Sequence, residues 1–400
     1  MNSGDKKILL QLNVTANWGS TGKIAEGIGL TAMANGWESH IAYGRLMQPS
    51  KSSLFKVGQK KDVYLHYAYQ RIFDTEGLGS KKPTKDLIKF IRELKPDIIH
   101  LHNIHDHWIN YEILFEYLNS TDIKIVWTQH DCWAFTGHCF YFESINCERW
   151  KEACHNCILL HDHPNALIDN SRKNFIRKKQ LFGSNKNVTL VGCSKWIAGF
   201  ASQSFFTNHR VEVINNGIDL DTFVPTKSER RKKQLLGVAS VWEQRKGLDD
   251  FIKLASILPE DYEIVLVGLN PRQIEQLPQN IRGIERTQNV NELVELYSQS
   301  LALINPTWED NFPTVNLEAL ACGTPVITYR TGGSPETIDE NTGLVVEKGN
   351  IAGLRAAIDT IAVSNDKFTV ELCRQRAERF FRREDRFREY ISLYNELLKK

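Results

Sequence analysis

Two carboxylates, Asp310 and Glu318, lie eight positions apart in the stretch EDNFPTVNLEALACGTPVI, which the loop YRTGGSPE follows. The residues NLEALA are typical of a helix start. Backbone amides at a helix N-terminus can bind phosphate, and a carboxylate one or two turns along can accept hydrogen bonds from vicinal hydroxyls. This pattern suits a nucleotide sugar, with the ribose on Glu318, the diphosphate on the amides and the sugar hydroxyls on Asp310. A charged, solvated helix start is the structural alternative, and the accompanying FP turn and glycine loop favour a binding site.

A pair of basic residues, Arg245 and Lys246, occurs in SVWEQRKGL, after a strand-like apolar run and before a turn at Gly247. Cations at such a turn can stabilise the negative charge that develops on a leaving diphosphate. The alternative is an ordinary basic loop, which the strand before the pair and the turn after it disfavour.

The segment NWGSTGKI, residues 17–24, lies between an apolar run and a helical segment, as anion-binding loops do. It is not a Walker A loop, because Asn17 stands at the first glycine position and Ile24 stands where a hydroxyl is needed. It also fails the Rossmann pattern G-x-G-x-x-G, since position 21 is threonine. We therefore predict a loop that approaches phosphate without being an ATPase loop.

Four of the eight cysteines have the spacing C-x7-C-x6-C-x2-C within a polar and aromatic loop, residues 132–157. They are Cys139, Cys147, Cys154 and Cys157. Four thiolates match a closed structural zinc site, with His138 and His155 as alternative ligands. Unbound thiols in an inserted loop are the other interpretation. We predict a structural zinc, because the loop has little apolar core that would order it.

Strand-like and helical segments alternate along the chain. Short continuous runs of Val, Ile and Leu, such as KILLQLNV, KPDIIHLH and YEIVLVG, predict parallel sheets that are covered on both faces. We predict an α/β protein with two Rossmann-like domains, residues 1–207 and 208–382, and a final helix, 383–400, that returns to the first domain. The candidate loops follow strand ends, where open sheets bind ligands, so we expect the site in a cleft between the domains.

Composition and charge narrow the class of protein. A chain of 400 residues suits two domains, and a formal net charge of +2 argues against a dedicated nucleic-acid-binding protein. The opening MNSGDKK lacks the apolar region of a signal peptide, and no apolar run approaches the roughly 20 residues that span a bilayer. We expect a cytoplasmic protein whose cysteines are not paired in disulfides.

Together these motifs resemble the retaining glycosyltransferases of family 4 (group 1), which have the GT-B fold and an E-x7-E motif. The resemblance runs from GSTGKIA through INNGID and RKGL to the C-terminal helix, and the bacterial polysaccharide-biosynthesis members are the nearest type. It implies that Asp310, in place of the usual Glu, holds the donor sugar and that Glu318 holds the ribose. Glu309 is a neighbouring candidate for the same sugar.

The resemblance also implies a clamp on the donor's diphosphate. Lys246 matches the family's lysine, whereas Ser240 or Val241 occupies the usual place of its arginine, so we predict that Arg245 substitutes. Gly19 and Ser20 align with the family's Gly-Gly pair, and Lys23 with a frequently basic position. Further donor contacts are implied for Asn216, Asn311, Phe312, Pro313, Thr314 and Val315.

On the acceptor side, His130 in TQHD matches the family's histidine near the sugar and its phosphate, although a strand-end histidine can be merely structural. The alternating histidines of HLHNIHDHW suit a strand end that leads into an acceptor loop better than a metal patch. We predict acceptor contacts from His102, His105 and Trp133.

The resemblance implies transfer of a sugar from a UDP- or GDP-linked donor to a hydroxyl of a glycan or lipid-linked acceptor, with retention of configuration and without a catalytic metal. A nucleotide-sugar epimerase and a non-catalytic sugar-nucleotide-binding protein are the alternatives. The basic segment SRKNFIRKKQLF, residues 171–182, suits either contact with anionic lipid or a helix with its apolar side in the core. We predict peripheral contact with the inner face of the membrane.

Overall fold

The computed structural model describes residues 6–162, 164–226, 233–364 and 366–399. Contacts divide the chain into two compact units, Met1–Ile214 with Phe387–Lys400, and Asn215–Arg386. Each unit is built around one parallel sheet, which confirms the prediction of two Rossmann-like α/β domains. Residues 1–5, from which the absence of a leader was inferred, lie outside the described residues.

The first unit has, within the described residues, a seven-stranded parallel sheet of order β3-β2-β1-β4-β5-β6-β7. Its strands are β1 Ile8–Asn13, β2 Glu38–Tyr43, β3 Ser53–Lys56, β4 Ile98–Leu101, β5 Lys124–Gln129, β6 Val188–Gly192 and β7 Arg210–Val213. Its helices are α1 Gly19–Ala34, α2 Lys60–Phe73, α3 Lys81–Leu94, α4 Tyr111–Leu118, α5 Ser171–Phe182 and α6 Lys195–Gln203.

Apolar residues lie on both faces of this sheet because successive side chains of a strand point in opposite directions. Leu10 and Ile99 belong to a large aromatic-rich cluster, whereas the preceding residues Leu9 and Ile98 belong to a second cluster. The second cluster also contains Tyr394 from the C-terminal helix. Continuous apolar runs were therefore the correct signal for buried parallel strands.

The second unit has, within the described residues, a six-stranded parallel sheet of order β10-β9-β8-β11-β12-β13. Its strands are β8 Gln234–Val238, β9 Glu263–Val267, β10 Ile281–Ile284, β11 Ala302–Asn305, β12 Val326–Tyr329 and β13 Gly343–Val346. Its helices are α7 Leu248–Ala255, α8 Pro271–Glu275, α9 Val290–Gln299, α10 Thr314–Ala321, α11 Ile351–Val363 and α12 Val370–Phe380.

The unit boundaries differ from the predicted ones by a few residues. Strand β7, Arg210–Val213, pairs with β6, so the first unit extends to Ile214 and not to residue 207. The last helix, α13 Arg383–Leu397, joins the first unit from Phe387 onward. A polar strand at the edge of a sheet lacks the apolar run that marked the central strands, so the boundary was placed too early.

Both sheets reverse their strand order, between β1 and β4 in the first unit and between β8 and β11 in the second. Ligands of open α/β sheets bind beyond the carboxyl ends of the strands at such a switch point. The loops NWGSTGK and WEQRKG, together with the segments HNIHDH and TWEDNF, follow these four strands. The topology thus positions the chemistry-bearing residues.

Candidate active site

In the second unit, the loops after β8 and β11 bring Lys246 and Asp310 into contact. The two residues are 64 positions apart, and the Nζ atom of Lys246 lies 2.6 Å from an Oδ atom of Asp310. Both side chains are mostly buried, at 22% and 17% exposure. The structure therefore joins the two motifs that the sequence singled out separately.

Arg245 precedes Lys246 in a 3-10 turn, Gln244–Lys246, and is tied to the same loop. Its carbonyl accepts a hydrogen bond from the amide of Trp308 at 2.7 Å, and its guanidinium donates to the carbonyl of Glu309 at 3.4 Å. The guanidinium also contacts Glu243 at 3.0 Å. Arg245, Lys246 and Asp310 thus form one charged group at the switch point of the second sheet, and the backbone carbonyl of Glu309 is bound to it.

Two glycines allow the close backbone approaches that hold this group. Gly247 has φ +77°, and a Cβ there would lie 2.3 Å from the carbonyl oxygen of Pro306. Gly332, of the loop TGGSPE, has φ +53°, and a Cβ there would lie 1.7 Å from the carbonyl oxygen of Asp310. Side chains at either position would displace the loop that carries the carboxylate.

Helix α10 follows Asp310 by four residues and carries Glu318. A carboxylate oxygen of Glu318 accepts a hydrogen bond from the hydroxyl of Tyr297 at 2.7 Å. The N-cap residue is Pro313, and no side chain caps the first amides of the helix. Thr314 and Val315, in this first turn, are partly exposed, and the amides of a helix N-terminus are groups that can bind an anion.

Three predicted donor residues before the helix are buried and shape the turn. Asn311, Phe312 and Pro313 are all buried, and the side-chain amide of Asn216 donates to the carbonyl of Phe312 at 3.4 Å. Asn216 therefore supports the turn through the backbone. The structure thus brings two of the predicted donor residues, Asn216 and Phe312, into contact.

In the first unit, β1 leads into an exposed helix start. Gly19, the first residue of α1, has φ +64°, and Gly19, Ser20 and Lys23 are exposed. The N-cap residue, Trp18, makes no side-chain capping bond. These exposed residues are compatible with the predicted phosphate-approaching loop, which stays a prediction.

His130 follows β5 and belongs to a chain of hydrogen bonds that fixes its tautomer. The side-chain NH2 of Gln11 donates to the carbonyl of Ala25 at 2.7 Å, so its oxygen is left to accept from Nε2 of His102 at 3.1 Å. A neutral His102 has no second N–H, so its Nδ1 accepts from Nε2 of His130 at 3.2 Å. His130 is left with Nδ1 as its acceptor atom.

Burial keeps this chain neutral. It lowers the pKa of His130 to about 4, although the Asp131 carboxylate acts in the opposite direction. Burial also lowers the pKa of His102 well below its usual value, and neighbouring histidines add to the effect. At neutral pH both rings are uncharged, which is the condition for the tautomer assignment.

His105 and Asp131 form an ion pair beside this chain. Nε2 of His105 lies 2.9 Å from one carboxylate oxygen of Asp131, and the other oxygen accepts from the amide of Trp133 at 2.9 Å. Burial acts to lower the pKa of His105, but the Asp131 carboxylate outweighs it and the pKa is raised. The pair is only slightly exposed, at 11% and 13%.

Comparison of the sequence with known protein families identifies the family of this chain. The model of "Glycosyltransferase Family 4" matches residues 31–222, and that of "Glycosyl transferases group 1" matches residues 232–363. This chain is a family 4, group 1 glycosyltransferase. It is 24% identical, over 97% of its length and 100% of the relative's, to WcaC of Escherichia coli K12, which is named for glycosyl transfer in colanic acid biosynthesis.

Solved structures show the same GT-B fold. A sucrose-phosphate synthase from Thermosynechococcus elongatus superposes with a TM-score of 0.74 at 16% identity, covering 98% of this chain and 100% of the other. HepE of Anabaena, solved with UDP, superposes with a TM-score of 0.65 at 14% identity, with coverages of 98% and 100%. HepE has also been solved with UDP-glucose, with a TM-score of 0.62 at 14% identity and coverages of 96% and 99%.

Two predicted acceptor residues of this glycosyltransferase are not open to a ligand. Trp133 is 1% exposed, and His102 is 2% exposed with both ring nitrogens engaged by Gln11 and His130. Trp133 belongs to the aromatic cluster that fills the space after β5, and the ring of His102 packs between those of His100 and His130. His102 is therefore a supporting residue behind His130, and Trp133 is a core residue.

Helix α5, predicted to meet lipid, instead packs into the glycosyltransferase's core. Phe175 and Phe182 are buried, and so is Lys178. The ammonium of Lys178 donates to the carbonyls of Trp133 and Thr136 at 2.7 and 3.1 Å and lies 3.5 Å from the Trp133 ring centre. For these residues the second interpretation, a helix with its apolar side in the core, is the one that the structure shows. No helix among the described residues has the length and apolarity to cross a bilayer.

The four predicted zinc ligands line one small cavity of about 20 Å³. The thiol of Cys139 is hydrogen-bonded to Cys157, and the amide of Gly137 donates to Sγ of Cys154 at 3.2 Å. His138 is engaged by Asp74 at 2.5 Å and by the carbonyl of Leu159. In the part of the chain that the structure describes, no three or more His, Cys, Asp or Glu side chains have the arrangement of a metal site. Zinc binding stays a prediction.

Metal analysis decides that prediction. We expect about one zinc per chain in protein purified without chelator, and loss of it in the double variant Cys154→Ser/Cys157→Ser, because structural sites need all four thiolates. Removal of the metal should loosen loop 132–157 before the sheets unfold, since binding energy at such sites is largely folding energy. Cys322→Ala, in the second unit, is the control. Metal-free protein with full activity and an ordered loop would contradict the prediction.

A strained loop connects β4 to α4 in the first unit. Asp106 and His107 have positive φ values of 76° and 69°, which non-glycine residues rarely adopt. The buried carboxylate of Glu76 accepts from both of their amides, at 2.6 and 3.2 Å, and lies 2.9 Å from Nε2 of His107. Glu76 was not among the predicted residues, because nothing in its local sequence marks it.

Other supporting residues of the site escaped sequence reasoning for the same reason. Gln11, Lys178 and Tyr297 act on partners that are far away in the chain, 91, 45 and 21 positions. Asp131 is different, because it directly follows His130 at a strand end and shares its motif. The strand-end position was the signal that could have identified it.

Proposed function

We propose that this glycosyltransferase moves a sugar from a UDP- or GDP-linked donor to a hydroxyl of a glycan or lipid-linked acceptor, with retention, in cell-surface polysaccharide synthesis. The observation that carries the proposal is the convergence of Arg245, Lys246 and Asp310 beside the uncapped start of α10. The name of WcaC supports a role in polysaccharide synthesis. The HepE complexes with UDP and UDP-glucose support a nucleotide-linked sugar donor.

In this proposal the second unit binds the nucleotide diphosphate. The amides of Thr314 and Val315 would receive diphosphate oxygens, and Glu318 would accept hydrogen bonds from the ribose hydroxyls. Tyr297 holds the carboxylate of Glu318 in place. Lys246 would exchange part of its contact with Asp310 for the leaving phosphate, which frees that carboxylate to accept from sugar hydroxyls.

The first unit would contribute to the sugar and its acceptor. His130 presents an acceptor nitrogen, Nδ1, that suits a donor-sugar hydroxyl, and the Gln11–His102 pair sets that tautomer. The amides at Gly19 and Ser20, with Lys23, would approach the phosphates. His105, whose Nε2 is held by Asp131 at 2.9 Å, stays our proposed acceptor residue of this unit.

The reaction would be a front-face displacement. The bond from the anomeric carbon to the phosphate oxygen breaks, a bond to the acceptor oxygen forms on the same face, and the acceptor proton goes to the leaving phosphate. No enzymic nucleophile is needed, and Arg245 and Lys246 would neutralise the developing charge without a catalytic metal. We place the reaction in the cytoplasm.

A transfer assay tests the proposal directly. Purified protein would be screened against UDP- and GDP-sugars by thermal shift, because a bound donor raises apparent stability, and then mixed with glycan and lipid-linked acceptors. We expect one donor class to stabilise the protein and its sugar to appear on an acceptor in the same anomeric configuration. Isomerised donor without transfer would indicate an epimerase, and binding without turnover would indicate a non-catalytic protein.

The ribose assignment has its own variant. We expect Glu318→Ala to weaken donor binding by about 1.5 to 3 kcal/mol, because it removes charge-assisted hydrogen bonds. Tyr297→Phe should weaken binding less, since the carboxylate remains but loses its support. Calorimetry with the nucleotide alone measures both. Equal affinity for wild type and Glu318→Ala, with the fold intact, would refute the assignment.

A further inference from the structure

Helix α2 buries polar side chains and exposes apolar ones. His66 and Gln70 are 2% and 1% exposed, whereas Tyr64 and Leu65 are 71% and 69% exposed. A surface helix ordinarily packs its apolar side on the protein and turns its polar side to solvent. The outer side of α2 therefore has the composition of a buried surface, which the described part of the chain leaves uncovered.

Hydrogen bonds on the inner side fix this orientation of α2. The amide of Gly79 donates to Nε2 of His66 at 2.9 Å, so Nδ1 has the proton and donates to the hydroxyl of Ser80 at 3.0 Å. The side-chain NH2 of Gln70 donates to the carbonyl of Asn165 at 3.3 Å. Turning the apolar side inward would leave these polar groups without their partners, which is costly. The exposed apolar side is therefore a fixed feature of the surface.

The apolar surface is continuous and extends beyond the helix. Residues four apart are neighbours on a helix, so Leu65, Tyr69 and Phe73 form one row. A second segment lies along the end of the helix, because the amide of Ile168 donates to the carbonyl of Ile72 at 3.0 Å. We call this surface the α2 face; its exposed apolar members are Tyr64, Leu65, Tyr67, Tyr69, Ile72, Phe73, Leu167 and Ile168.

The area of the α2 face matches that of a protein interface. Its eight apolar residues have exposed fractions of 36% to 71%. Since the full surface of a large apolar residue is about 150 to 250 Å², they present on the order of 800 Å². The largest apolar patch of a typical monomer is about 300 to 600 Å², whereas each partner of a specific complex buries about 800 Å². The α2 face is therefore large enough to be one side of a stable interface.

The composition of the α2 face also suits a protein partner. Three of its members are tyrosines, and aromatic residues are enriched at interfaces between proteins. Charged residues of both signs lie on α2, beside Leu167 and Ile168, and at the start of α5, as in the polar rim of an interface. The basic ones are Lys60, Lys61, Arg71, Arg172 and Lys173, and the acidic ones are Asp62, Asp162 and Asp169. Such a rim suits a partner that itself has both signs, and a second copy of this chain has them.

We propose that the α2 face binds a second copy of this chain in a two-fold symmetric dimer. A two-fold axis places the same surface on both sides, so each copy supplies the apolar area that the other needs. Two helices with apolar rows at four-residue spacing pack ridge into groove, and α2 of one copy would lie against α2 of the other. Together the two faces would bury about 1,600 Å², the standard size of a specific interface. The proposal concerns assembly and does not rest on the proposed function.

The proposed interface borders the strained loop of the first unit. The ring of Tyr67, a member of the α2 face, lies 5.2 Å from that of His107, and the buried ring of His66 lies 5.5 Å from it. His107 belongs to the loop that contains His105. A second copy on the α2 face would cover the outer side of these contacts and restrict the motion of the loop.

Sedimentation velocity of the full-length protein tests the dimer. Because interfaces of this size have dissociation constants from picomolar to micromolar, the protein would be examined from about 0.1 to 50 μM. We expect a species with twice the mass of one chain at the upper end of this range. A monomer throughout the range would overturn the proposal.

Paired variants locate the interface. Leu65→Asn/Ile72→Asn should raise the dissociation constant of the dimer at least about tenfold, because four apolar side chains per dimer lose their burial. Val363→Asn/Ile257→Asn is the matched control and should stay within about twofold, since it lies in the second unit. Its residues are 77% and 46% exposed, close to the 69% and 43% of Leu65 and Ile72. An unchanged circular dichroism spectrum shows that each variant is folded. A dimer that neither pair weakens, or that both weaken equally, would place the interface elsewhere and refute the assignment to α2.

Hydrogen exchange and vesicle flotation separate the dimer from other uses of the α2 face. Amides of α2 and of residues 166–168 should exchange more slowly in the dimer than in Leu65→Asn/Ile72→Asn. Equal exchange in the two proteins would contradict the proposal. Wild type that stays monomeric and floats with phosphatidylcholine vesicles containing about one-third phosphatidylglycerol would show that lipid covers this surface, and the dimer proposal would be wrong.

Discussion

Lys246→Ala is expected to lower kcat about 100-fold while it changes donor affinity by only a few fold. In the structure Nζ of Lys246 lies 2.6 Å from the Asp310 carboxylate. In the resting protein its charge is therefore already compensated, and ground-state binding gains little from it. Negative charge on the leaving diphosphate grows in the transition state, where a fixed cation has its largest effect.

Steady-state kinetics and calorimetry together measure this difference. Lys367→Ala, an exposed lysine of the second unit, is the control and should leave kcat unchanged. Arg245→Ala should give a smaller loss than Lys246→Ala, because its guanidinium is more exposed and shared with Glu243 and Glu309. A kcat for Lys246→Ala within about twofold of the wild type would remove Lys246 from the clamp.

Variants of Asp310 test whether Lys246 and Asp310 act together. Removing it leaves Lys246 without its partner, so Asp310→Asn should weaken sugar recognition and also alter the position of Lys246. If the double variant Lys246→Ala/Asp310→Asn costs less than the sum of the single changes, the two side chains act as a unit. This is expected because they are in direct contact.

The parallel sheets and the charged group of the second unit could be predicted because their signals are local. Lys246 and Asp310 each follow a buried apolar strand, and the ends of adjacent parallel strands meet at one edge. The sequence therefore placed each residue at a strand end, and the pairing of β8 with β11 brings the two ends together. The family resemblance suggested what Lys246 and Asp310 do, whereas their location at strand ends came from the sequence pattern.

Helix α2 and strand β3 were not predicted, and the reason is physical. Sequence patterns locate a helix by the apolar stripe it buries, whereas α2 buries His66 and Gln70 and exposes its aromatic residues. Helix α5 was recognised as a basic segment, but nothing in the sequence marked its Lys178 as buried. A lysine that is satisfied by two carbonyls and an aromatic ring is indistinguishable in sequence from a surface lysine.

The tautomer of His130 was also beyond sequence reasoning. It depends on Gln11 and His102, which reach His130 only because β1, β4 and β5 are adjacent in the sheet. The sequence suggested only that His130 lies near the donor sugar. The hydrogen-bond chain decides which of its nitrogens can accept a proton, and that information exists only in the folded chain.

His107→Leu is expected to destabilise the first unit by about 3 kcal/mol, because it leaves the buried carboxylate of Glu76 without its cation. The pair is 2.9 Å apart, and the Glu76 side chain is 3% exposed. The change is measured as the shift of the urea unfolding midpoint. Glu76→Gln/His107→Leu should be more stable than His107→Leu alone, since the amide keeps an oxygen for the amides of Asp106 and His107 and removes the buried charge.

The stability difference between wild type and His107→Leu should depend on pH. Burial acts to lower the pKa of His107, but the Glu76 carboxylate raises it to about 9, against an ordinary value of 6.5. The folded protein therefore holds this proton more tightly than the unfolded chain does. The stability that wild type has over His107→Leu is fully present below about pH 6.5 and is lost as the pH rises through about 9.

The exposed pair Arg282 and Glu263 is the control, and Arg282→Ala should cost less than about 1 kcal/mol. A loss for His107→Leu no larger than this, or one independent of pH between these limits, would show that the Glu76 charge does not hold the strained loop.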